Sequence, residues 1–198
     1  FAIKAPHDGS CDVHVIEVRD GRIDTERSIE TLRVIGGQLH ADPKRDLCKI
    51  AVIERHQASG AMGLGFVRGL GLSAGALASS VAHDSHNLLV AGTNDHDMYA
   101  AAVQVVKMRG GFCVVKDGQV LADVPLSIAG LMSEMDAETL NAQLEVLHDA
   151  AQALEVKLRR PFMALSFLSL SVIGALKITD KGLVDVDSFE LIDLVVNT

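Results

Sequence analysis

The chain is expected to fold as an α/β or α+β protein in which mixed β-sheet layers pack with two main helices and N-terminal antiparallel hairpins lead in. Three observations predict this. Hydrophobic residues make up 48% of the 198 positions but aromatics only 4%, so the core must be built mainly of Ala, Val, Leu and Ile, which suits regular sheet and helix packing. Short apolar runs bounded by turn residues alternate with two stretches of helical periodicity. The length suffices for one substantial core, so the expected organisation is one domain over 1–198, with a hairpin subregion at 1–45 and an α/β core at 46–198.

Taken in order, "CDVHVIEV" and "SIETLRV" alternate weakly, with turns supplied by Asp20-Gly21 and Gly36-Gly37. After the break at Asp42-Pro43, the β-branched centre of Cys48 to Arg55 predicts a strand buried on both faces. Ser59 to Gly75 is glycine-rich and reads as a loop or irregular segment, because each glycine would cost a helix close to 1 kcal/mol. Its Gly63, Gly65 and Gly69 do not have dinucleotide-loop spacing, since one residue too many separates the second and third. Gly75 to Ala82 and Leu88 to Gly92 are predicted strands, and Thr93 or Asn94 caps a helix that Gly110-Gly111 ends. A hairpin turning at Asp117-Gly118 follows. The longest helix is placed from Asp136 to about Leu158, with Leu140, Leu144, Leu147, Ala151, Leu154 and Leu158 on one stripe. Phe162 to Leu176 is apolar but shorter than the roughly 18 residues that span a bilayer, so it reads as a core strand or buried loop. Asp180-Lys181-Gly182 turns between two last strands.

The net charge of −8, with no cluster of Lys and Arg, gives no footprint for phosphate backbones, so nucleic acid is not an expected partner, and neither is a membrane. Cys11, Cys48 and Cys113 are widely spaced in apolar surroundings, as reduced thiols of a cytoplasmic protein would be. The opening "FAIKAP" reads as cut from a longer polypeptide.

Two polar clusters stand at predicted strand ends, where α/β proteins place their sites. The first is His83, Asp84, His86 and Asn87 in "AHDSHN", and the second is Glu54, Arg55 and His56. His83 and His86 are the candidates for a metal, which would need further ligands from Asp84, His96 or Asp97; no paired ligand motif supports it. Against these stand plainer readings: Asp84 and Asn87 as turn formers, and Glu54 and Arg55 as a surface ion pair worth under about 1 kcal/mol. Asn94 to Asp97 is explained by helix capping, and His148 by a helix boundary. "GxSxG" is absent, so no serine has a nucleophile-elbow context.

The segments "DPKRDLCKIAVIERH" at 42–56, "GLGFVRGLGLSAGALASSVAHDSHNLLVAGTNDHDM" at 63–98, Gly110-Gly111 with "LADVPLSIAGLMS" at 121–133, and "LKITDKGLVDV" at 176–186 resemble, in order, the C-terminal domain of bacterial adenine deaminases. These are amidohydrolase-superfamily enzymes of purine salvage. The resemblance implies that the complete enzyme converts adenine to hypoxanthine and ammonia. It further implies that a binuclear divalent metal centre of manganese or iron is bound by a barrel domain this chain lacks. On that basis no catalytic residue and no metal are expected within this chain. His83, Asp84, His86, Asn87, Glu54, Arg55 and His56 become candidates for the substrate site or the interdomain face. Adenine, the barrel domain and further copies of the chain are the implied partners. Two alternatives stand beside this: a purine-binding or regulatory module without catalysis, and a self-contained metallohydrolase.

Overall fold

The computed structural model describes residues 1–196. In chain order the strands and helices are β1 (Ile3–Lys4), β2 (Ser10–Glu17), β3 (Glu26–Arg33), β4 (Gln38–Leu39), β5 (Leu47–Ile53), β6 (Met62–Arg68), β7 (Ala76–Ser79), β8 (Leu88–Gly92), α1 (Asp95–Lys107), β9 (Gly111–Lys116), β10 (Gln119–Pro125), α2 (Ala137–Gln152), α3 (Pro161–Phe167), β11 (Leu176–Thr179), β12 (Gly182–Asp185) and β13 (Glu190–Ile192). The fold is mixed α/β, as expected. Its centre is an eight-stranded sheet in the order β10-β9-β7-β8-β5-β6-β2-β3. Every neighbouring pair is antiparallel except β2 and β6, which run parallel.

The sheet is covered on both faces, which explains why its central strands read as unbroken apolar runs. Successive residues point to opposite sides. Ala51, Ala76, Ala78, Val90, Cys113 and Val115 pack with Met98, Ala101 and Val105 of α1 on one face. Ile50, Val52, Leu77, Leu89, Ala91 and Val114 pack on the other with Leu147 and Ala151 of α2, Phe162 and Leu165 of α3, and Leu176, Ile178 and Leu183. The helix α1 starts where expected: the Asn94 carboxamide oxygen accepts from Asp97 N at 2.8 Å. The buried Asp97 carboxylate accepts from Gly118 N at 2.7 Å, tying that cap to the β9–β10 turn. The three cysteines are free and buried, and burial pushes the thiols of Cys48 and Cys113 up to about 12.

Three elements differ from expectation, each for a packing reason. The glycine-rich stretch holds the strand β6, not a loop. The β11–β12 hairpin crosses it so closely that a Cβ on Gly63 would lie 1.9 Å from Thr179 O. Glycine there serves the approach of another backbone, not an irregular conformation. The long helix ends at Gln152 rather than near Leu158. Beyond it, Glu155 adopts φ 64°, and backbone bonds from Ser73 N to Leu154 O and from Lys157 N to Leu70 O lead the chain off, with Leu154, Val156 and Leu158 still buried. Finally, the apolar run from Phe162 is neither strand nor loop at its start: it forms α3, opened by Pro161 at the first turn, a position that needs no N–H donor. Among the described residues no helix is long and apolar enough to cross a membrane.

Candidate functional site

The two polar clusters meet because of strand register. β5 and β8 are antiparallel with Ile53 opposite Leu88, and β7 and β8 with Ser79 opposite Leu89. The exit of β5, the exit of β7 and the entry of β8 therefore lie at one end of the sheet. Residues 54–56 and 83–87, separate in sequence, become neighbours there.

The contacts sort the candidates into a frame and a set of groups whose side chains make no hydrogen bond. Arg55 donates from Nε to His86 O, from Nη2 to Ala129 O at 2.8 Å, and from its backbone N to Asn87 Oδ1 at 3.4 Å. His56 donates from Nε2 to Ser85 O at 2.7 Å, which fixes the proton on that nitrogen. Asn87 is buried and donates from Nδ2 to Asp180 Oδ1 at 3.1 Å. Glu54 makes no ion pair with Arg55. Its carboxylate accepts from the backbone N of His56, from Gln57 N at 2.7 Å and from Ser59 N and Oγ at 3.0 and 2.9 Å. Those hydrogen bonds, led by the one from the Ser59 backbone, hold its pKa down at about 2. The surface ion-pair reading of this cluster is thereby replaced by a carboxylate that shapes its own loop.

His83, Asp84 and His86 differ from the frame: their side chains have no hydrogen-bond partner among the described residues. The His83 backbone is pinned, N to Ser166 O at 2.9 Å and O from Ser169 Oγ at 3.0 Å, while its ring lies against Phe167 with centroids 4.6 Å apart. His86 sits in the left-handed region at φ 51°, and its ring centroid is 6.1 Å from that of His83. Its Nδ1 is buried without a partner. Burial, then the charges of His83, Arg55 and His56, push the His86 pKa down, with Asp84 opposing, so the ring is neutral at pH 7 and keeps an acceptor nitrogen. Asp84 is exposed.

Among the described residues no three His, Cys, Asp or Glu side chains converge as metal ligands would. His83 and His86 lack a third ligand, since His96 and Asp97 lie at the start of α1, beyond the opposite end of β8. Sequence reasoning missed several contributors: Asp180, read only as a turn, the α3 segment with Ser166, Phe167 and Ser169, and the Ala129-Gly130 corner under Arg55. A Cβ on Gly130, which sits at φ 75°, would lie 3.0 Å from both Arg55 Nη atoms, so a side chain there would be strained and would crowd the guanidinium. No local pattern marks Ser166, Phe167 or Ser169, because they reach the site through tertiary packing.

Fold and site together define a mixed α/β domain that presents a braced polar loop at one sheet end. The family model described as the adenine deaminase C-terminal domain matches residues 22–190, and the chain belongs to that family. It is 47% identical over 196 residues to an adenine deaminase of Moorella thermoacetica, covering 98% of this chain and 33% of that relative. With an adenine deaminase of Oleidesulfovibrio alaskensis it shares 50% over 186 residues, and with one of Brucella anthropi 48% over 186, in each case 94% of this chain and 33% of the relative. The chain thus spans about a third of the length of these curated relatives.

Proposed function

We propose that this chain is the C-terminal part of a cytoplasmic adenine deaminase of purine salvage, which hydrolyses adenine to hypoxanthine and ammonia, and that it closes and orders the substrate site without catalysing the reaction itself. Family membership over 22–190 supports the enzyme. The observation that carries the role is the division at the sheet end: Glu54, Arg55, His56 and Asn87 are taken up in bracing the loop, while the side chains of His83, Asp84 and His86 keep their hydrogen-bonding groups unengaged among the described residues. Among the described residues no cluster fits a binuclear metal centre. The divalent metal, manganese or iron, that would supply hydroxide in such an enzyme belongs to the barrel in the remaining two thirds of the relatives' length.

What this chain's residues contribute is positioning. A neutral imidazole at His86, the His83 ring held against Phe167 and the Asp84 carboxylate offer donors and acceptors to a purine edge or to ordered water, and a closed loop excludes bulk solvent. In a full-length enzyme carrying this domain, replacing His83 and His86 together by Ala should lower kcat/KM roughly tenfold or more, with metal content by elemental analysis unchanged. Unaltered kinetics would reject the role, and loss of metal would show that the loop is part of the metal centre.

A further inference from the structure

Acidic residues outnumber basic ones 26 to 18, and Arg19, Arg22, Arg27, Arg45, Arg68 and Arg159 each have a carboxylate partner. Arg55 and Arg109 have none among the described residues. Arg33 and Arg160 also lack one and, like Arg109, are exposed, but only Arg109 stands beside the half-buried Arg55 on one cavity. The Arg55 pKa is pushed down by burial alone, so no nearby carboxylate offsets the cost of withdrawing its charge from water. The adjacent Glu54 is turned onto residues 56–59. Both contacts of its guanidinium are to neutral carbonyls, those of His86 and Ala129.

Arg55 and Arg109 line one cavity of about 220 Å³, together with Ser80, Leu88, Val105, Val106 and Gly110. Arg109 follows α1 in the left-handed region at φ 62°. The last carbonyls of α1 do not act as counter-charge, because Gln104 O, Val106 O and Val105 O accept from the N–H groups of Met108, Arg109 and Gly110. The Ser80 hydroxyl is engaged as well, donating to Gly130 O at 2.6 Å and accepting from Gly111 N at 2.7 Å. The donors left to a ligand are guanidinium N–H groups, planar and suited to a carboxylate.

We infer that Arg55 and Arg109 form a carboxylate subsite, with the planar group taken by the guanidiniums and its short aliphatic stem against Leu88, Val105 and Val106. The carboxylate comes either from an Asp or Glu side chain in the remainder of the longer protein or from a free small aliphatic acid. The inference uses only this chain's residues and stands apart from the positioning role proposed above.

The test is a titration of the uniformly ¹⁵N-labelled chain with sodium acetate, at ionic strength held constant with sodium chloride, following the Arg55 Nε–H and Gly110 amide resonances. A saturable shift with half-effect at roughly 1–10 mM acetate, weakened about fivefold in R109Q, is expected. A shift that never saturates, or one identical in R109Q, overturns the inference. Repeating the titration on a full-length enzyme separates the sources. An Arg55 resonance already at its acetate-bound position and indifferent to acetate assigns the carboxylate to the rest of the polypeptide, and a retained response assigns it to a free acid.

Discussion

Lys177 shows how a single residue sets conditions on the site from beneath it. Its side chain is fully buried, and Nζ donates to Ile23 O at 3.0 Å and to Phe167 O at 2.9 Å. It thus ties the β2–β3 connection to the end of α3, whose Phe167 ring carries His83. Burial lowers its pKa to about 8, opposed only weakly by the Asp24 charge. The unfolded chain, with a lysine near 10.4, holds this proton more tightly than the folded one, so folding releases it and stability rises with pH. The penalty is fully present below pH 8 and fades as pH approaches 10.5. In K177M the titration is gone and two carbonyls lose their donor. The stability of the native chain relative to K177M, from urea unfolding, should therefore increase by about 2–3 kcal/mol between pH 7 and pH 10. A gap constant across that range would mean that Lys177 titrates as an ordinary lysine.

The element that most tests the packing argument is β6. A Cβ at Gly63 would meet backbone, Thr179 O at 1.9 Å and Gly182 N at 2.9 Å, whereas at Gly65 it would meet only side-chain ends, Ile178 Cδ1 and Leu183 Cδ2, each at 3.2 Å. Backbone held in a hairpin cannot yield as a methyl can. G63A should therefore cost about 3 kcal/mol or more and displace the β11–β12 hairpin, while G65A should cost less than about 1 kcal/mol, read from denaturant midpoints. Equal costs would show that the hairpin does not press on β6. The same element marks the boundary of what the sequence reveals. β5, β8 and α1 were legible because burial on two faces and a helix cap are local patterns, in Leu47–Ile53, in Leu88–Gly92 and at Asn94. The role of Gly63 was not, because its neighbour lies more than a hundred residues away. The site divides likewise: His83 to Asn87 and Glu54 to His56 stood out as polar groups at strand ends, but their meeting depends on the antiparallel register of β5 with β8. Which of them brace and which keep their side chains unengaged follows from contacts with Ala129, Asp180 and Ser169 that no spacing encodes.

For the whole molecule, the distribution of exposed apolar surface bears on what the other two thirds of the relatives' length would cover. The outer sheet edge at β3 is protected by charge, with Arg27 paired to Asp185 and Glu30 to Arg45 and Arg68, a common defence against edge pairing. The corner beside Arg55 has no such protection. Ile128 is 41% exposed, Met132 58% and Val106 67%, and the backbone bridge between Ile128 and Met132 holds the first two together. Exposed apolar patches of this kind mark interaction surfaces, and this one borders the loop proposed to close the substrate site. The chain by itself should then associate reversibly with further copies at concentrations of tens of micromolar, a Kd on that scale corresponding to about 6 kcal/mol. I128K combined with M132K should shift it to monomer in sedimentation velocity while changing stability by less than about 1 kcal/mol, since both side chains already face water. If the double variant associates as before, the contact lies elsewhere, with Val120 and Leu121 on the β10 edge, 42% and 44% exposed, as the next candidate. In that case the apolar corner is not what holds copies together, and the case for its being an interaction surface weakens with it.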